Sequence, residues 1–92
     1  PYPSMNEIIK RIKPFAKEIH VFNASHLGIE KFGSATFGNT ILVGIVTGGG
    51  LLPLREDSLR EAIRATAPRD VESNIKAFEL GLQLGREKLS TR

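Results

Sequence analysis

The sequence has no cysteine, no tryptophan, one tyrosine, one methionine and two histidines. The missing cysteines exclude disulfides, thiolate metal sites, iron–sulfur ligation by this chain and a cysteine nucleophile. They also remove the basis for a secreted, disulfide-stapled scaffold. His20 and His26 are too few to build a histidine metal site. The richest apolar stretch, residues 41–54, is diluted by Gly44, Thr47 and three consecutive glycines. It falls short of the roughly 18–20 residues that cross a bilayer. The Pro-Tyr-Pro start has neither the basic nor the apolar region of a signal peptide. A cytoplasmic protein is expected, with no membrane contact. A block of like charge is missing as well. The net charge is +3, but the signs are interspersed. A nucleic-acid interface needs clustered cations, commonly with stacking aromatics. A mixed solvated surface is the expectation instead.

What is present is ordinary globular composition, 40% hydrophobic and 25% charged over 92 residues. That length suits one domain or a piece of one, and Pro1 in place of Met suggests a piece. Ser4-Met5-Asn6-Glu7 has the form of a capping box. Ile8, Ile12, Phe15 and Ile19 then recur at the period of one helix face. The spacing predicts a helix over residues 5–17, kinked or tightened at Pro14. Glu18-Ile19-His20-Val21-Phe22-Asn23-Ala24 reads as a short strand buried on both faces. Ser25 could cap a short helix that carries Leu27 and Ile29 and ends at Gly33.

Residues 39–50 pull two ways. Ile41, Val43, Ile45 and Val46 are β-branched and favour a strand. Length, Asn39 as a cap and the Gly48-Gly49-Gly50 stop favour a buried helix, which is the expectation adopted. Leu59, Ala62 and Ile63 give a buried stripe to a helix over residues 56–67, with Glu56 and Arg60 paired four apart. Pro68 ends it. Val71, Ile75, Phe78, Leu82, Gly85 and Leu89, spaced four and three apart, mark a long helix over residues 70–89, with Asp70 as its cap. Ala77, Leu80, Gly81 and Leu84 widen its apolar face. So wide a face predicts packing against more than this chain offers. Gly81-x-x-x-Gly85 predicts a close helix approach, which offsets the helical cost of two glycines, about 1 kcal/mol each.

No motif for chemistry survives inspection. The triple glycine is followed by Leu51-Leu52-Pro53-Leu54, not by the Gly-Lys-Ser/Thr of a phosphate loop. No G-x-G-x-x-G occurs, so a dinucleotide fingerprint is missing. Ser25-His26 lacks an orienting carboxylate and a nucleophile elbow, and reads as a polar strand end. Asp57, Glu61 and Glu72 spread over exposed helix faces and form no acid–base pair.

The order of features is more telling than any one of them. Tyr2-Pro3-Ser4 leads into the first helix, followed by Ile19-His20-Val21-Phe22-Asn23-Ala24. Then come Gly38-Asn39-Thr40-Ile41-Leu42-Val43-Gly44, the glycine stop and Leu52-Pro53-Leu54. Glu56-Asp57-Ser58-Leu59-Arg60-Glu61-Ala62-Ile63 and Asn74-Ile75-Lys76-Ala77-Phe78-Glu79-Leu80-Gly81 close the series. In this order the chain resembles the C-terminal half of the gamma subunit, or gamma domain, of the 2-oxoacid:ferredoxin oxidoreductases. That family includes the pyruvate, 2-oxoisovalerate, 2-oxoglutarate and indolepyruvate enzymes.

The resemblance covers nearly the whole chain and implies one segment over residues 1–92. The implied fold is α/β: the C-terminal, helix-rich part of a doubly wound, Rossmann-like gamma domain, with one or two strands. The family's Gly-rich N-terminal strand–turn is missing from these residues, and Arg55 stands where a small capping residue is usual. The implied activity is oxidative decarboxylation of a 2-oxoacid, with acyl transfer to coenzyme A and electrons passed to ferredoxin. Thiamine diphosphate and iron–sulfur clusters are expected on partner subunits, no cofactor on this chain, and no catalytic residue within it. Asn39, Gly44, Asn74 and Gly81 match family motif positions. The two asparagines are expected to cap or bond backbone, and the two glycines to permit close packing. Expected partners are the other subunits, the N-terminal half of the same domain, or a second copy. A stand-alone helical interaction module is the rival expectation, and a small hydrolase using Ser25 and His26 a third.

Overall fold

The computed structural model of the chain describes residues 5–15, 22–51, 55–66 and 70–89. Helix α1, Met5–Ile12, turns Ile8 and Ile12 into the core. A 3-10 turn, Lys13–Phe15, follows at once. Pro14 has no N–H to continue the α-helical ladder, so the chain tightens there. Helix α2, Ala24–Phe32, is entered through Asn23 at φ 46°, and Gly33 at φ 82° ends it. The Gly33 N–H donates to the Ile29 carbonyl at 3.0 Å, and the Ser34 N–H to that of Gly28 at 3.2 Å. A left-handed glycine thus satisfies carbonyls that a helix end would leave open. The 3-10 turn Ala35–Phe37 leads straight into α3. The Ser34 hydroxyl caps that turn by accepting the Thr36 N–H at 3.2 Å.

Helix α3, Gly38–Gly48, runs through the middle of the molecule and buries Thr40, Ile41, Val43, Gly44, Ile45 and Val46. A helix apolar on nearly every side must be covered on nearly every side. It packs against α1, α2 and, along most of its length, the last helix. It ends in paired bonds from the Leu51 N–H to the Val46 carbonyl, 3.1 Å, and from the Gly50 N–H to that of Thr47, 3.2 Å. Gly50 sits at φ 72°, so of the three glycines this is the one that makes the left-handed stop. Helix α4, Glu56–Thr66, places Leu59, Ala62 and Ile63 in the core. Helix α5, Val71–Lys88, buries Ala77, Phe78, Gly81, Leu82 and Gly85.

One expectation is corrected here. The α/β class, with one or two strands of a Rossmann-like domain, does not hold: among the described residues every regular element is helical. Residues 18–21 of the expected strand lie outside the described residues. Phe22 stands in a turn, and Ala24 already opens α2. The buried helix expected within residues 39–50 is α3, which shows the physical reason that strand-like side chains need not make strands. Its β-branched run has strand propensity, but propensity yields to tertiary context. Gly44 and Gly48 let that run lie flat on α5 as a helix, and a strand here would need a ladder partner. The broad apolar face of α5 lies on α3, with Ala77, Phe78 and Leu82 buried there and Ile75, Leu80, Leu84 and Leu89 only partly buried. Among the described residues Ile29 is the one large hydrophobic side chain left exposed, at 55%. The capping Ser4, His20, the connector 52–54 and Pro68 lie outside the described residues.

Candidate functional site

The most specific feature of the molecule is the seam between α3 and α5. Contacts along it rise together in both helices: Thr40 meets Asn74, Gly44 meets Phe78 and Gly81, Gly48 meets Leu82, and Gly49 meets Leu89. The two helices therefore run in the same direction. Each brings a Gly-x-x-x-Gly pair to the contact, Gly44 with Gly48 and Gly81 with Gly85. A Cβ at Gly44 would stand 2.8 Å from the Gly81 Cα and 2.3 Å from the Phe78 carbonyl oxygen. At Gly48, Gly81 and Gly85 the nearest atoms to such a Cβ are the carbonyl oxygens of Leu82, Ile41 and Ile45, each at 2.2 Å. Backbone carbonyls of one helix fill the places where methyl groups of the other would be. Small residues four apart permit this approach, and the carbonyls face glycine Cα–H groups, a recurring weak contact at helix interfaces.

A polar corner closes the N-terminal end of the seam. Thr40 is 5% exposed, and its hydroxyl donates to the Asn74 Oδ1 at 3.1 Å. The Asn74 amide donates to the Asp70 carbonyl at 3.0 Å. Asn74 thus binds backbone and joins the helices at once. Asp70 holds the cap position of α5 but makes no side-chain cap bond. Asn39 lies inside the first turn of α3 and is exposed, while Phe37 holds the cap position.

A ladder of ion pairs crosses from α4 to α5. Glu56 accepts from Arg86 and lies 3.5 Å from Arg60. The Arg60 guanidinium donates to both carboxylate oxygens of Glu79, at 2.5 and 3.3 Å, and lies 5.6 Å over the Phe78 ring. The hydrogen bond from Arg86 holds the Glu56 carboxyl below its ordinary range, with further help from Arg60. Glu79 in turn raises the already high value of Arg60.

The chemistry weighed from sequence is not assembled. His26 pairs with Glu30 at 3.0 Å on the exposed face of α2, rather than with Ser25. Glu61 pairs with Arg64 at 2.6 Å. Among the described residues no three His, Asp or Glu side chains gather as a metal site. None of their buried side-chain nitrogens or oxygens lacks a partner. The sequence has no thiolate for an iron–sulfur cluster, and among the described residues no carboxylate cluster gathers for the cation of a bound diphosphate. The role of Gly48 against Leu82, and Ile45 with Gly49 as what Gly85 meets, escaped sequence reasoning. The repeated four-residue glycine spacing in two neighbouring helices was the signal. The reach of Arg60 to Glu79 had none.

Comparison with known proteins adds what the geometry cannot. The sequence pattern of the pyruvate ferredoxin/flavodoxin oxidoreductase family matches residues 3–84. The chain belongs to this family. It is 37% identical to the indolepyruvate oxidoreductase subunit IorB of Pyrococcus horikoshii, over 97% of this chain and 45% of that protein. It is 31% identical to the IorB subunit of Thermococcus kodakarensis, over 96% of this chain and 44% of the relative. A shorter match, 34% identical over 62 residues, is to the ketoisovalerate oxidoreductase subunit VorA of Methanothermobacter thermautotrophicus. The chain thus spans less than half the length of the curated IorB relatives it matches. No solved structure matches it. No helix among the described residues is long and apolar enough to cross a membrane.

Proposed function

We propose that this chain is a non-catalytic gamma-type segment of a cytoplasmic, multi-subunit 2-oxoacid:ferredoxin oxidoreductase, with an aryl 2-oxoacid of the indolepyruvate kind as substrate. In the complex's reaction the carboxylate leaves as carbon dioxide and the acyl group passes to the thiol of coenzyme A. Two electrons go to ferredoxin. Thiamine diphosphate and the iron–sulfur clusters belong, in this reading, to partner subunits. The family match over residues 3–84, with relatives named as oxidoreductase subunits, carries the proposal. The geometry is in keeping with a structural role, since α3 and α5 form a fixed helix pair. Asn74, Gly44 and Gly81 hold that pair together, while Asn39 belongs to the outer surface of α3, open to a neighbouring subunit.

The test is affinity purification of the native protein from its source, under mild conditions. The reading expects co-purifying chains that carry thiamine diphosphate and iron–sulfur clusters. It also expects viologen reduction that depends on a 2-oxoacid and coenzyme A. A lone monomer that binds neither chains nor substrate would overturn it, and would favour a stand-alone interaction module.

A further inference from the structure

We draw no further inference here: the strongest candidate, the apolar shoulder that exposed Ile29 forms on α2 beside the Phe32–Phe37 ring pair, carries nothing because nothing in the structure shows what covers it.

Discussion

Replacing Gly44 by alanine sets two effects of opposite sign against each other. By helix propensity alone the change stabilises α3, by about 1 kcal/mol. By packing it must destabilise. The new methyl would stand 2.3 Å from the Phe78 carbonyl oxygen, whereas ordinary contact begins at 3.4 Å. The difference is 3.4 − 2.3 = 1.1 Å, and the obstructing atoms are backbone, so no rotamer change relieves it. The helices must part by about 1 Å. A gap of about 0.5–1 Å forfeits a quarter to a half of each dispersion contact across it. Ile41, Ile45, Phe78 and Leu82 all lose contacts along this line, so a cost at or above the upper end of the usual overpacking range, about 3 kcal/mol, is expected. The net destabilisation is about 2 kcal/mol. For a domain of this size that lowers Tm by about 8–16 °C, read by circular dichroism at 222 nm. Gly81→Ala opens the same gap, so the double variant should cost less than the sum of the two. A rise in Tm for Gly44→Ala would refute the reasoning, for it would mean that the helices are not in backbone contact.

Arg60→Ala removes the Glu79 fork and the contact with Phe78. The expected loss is about 1 kcal/mol, smaller in 1 M salt and only partly restored by Arg60→Lys, all readable by urea titration. Because the folded Glu56 carboxyl titrates below its unfolded value, its contribution is fully present above that ordinary value. It is lost as pH falls through the lowered one. Melting curves from neutral to strongly acid pH should therefore show a shallower acid decline in Glu56→Gln, and parallel profiles would contradict the ladder. Thr40→Val leaves the Asn74 carbonyl oxygen without its donor and should lower stability by about 1 kcal/mol. An unchanged denaturation midpoint would count against the polar corner.

Helix periods were legible wherever a helix lies on one surface. Leu59, Ala62 and Ile63 mark α4, and Phe78 and Leu82 mark α5, because a single buried side leaves a single stripe. The family was legible from the order of weak motifs. The α/β class, taken from the resemblance and from the strand-like run that ends at Phe22, was not, because strand character reports side-chain shape rather than a partner strand. Whether a β-branched run becomes a helix depends on what it packs against, and here that is the glycine face of α5, more than thirty residues away. The cross-helix partners Thr40–Asn74 and Arg60–Glu79 were illegible for the same reason. Local patterns show which side of a helix is apolar, not which neighbour it will meet.

A contact made of main chain has no rotamers to hop and no side-chain freedom to surrender. Side chains elsewhere in the core can trade volume with their neighbours when one of them changes, but the line from Gly44 to Gly85 cannot. Side chains join the helices at the ends of that line, Thr40 on Asn74 and Leu89 against Gly49, and between them the two rods meet on main chain. Whatever these helices are docked to, they meet it as a single stiff beam.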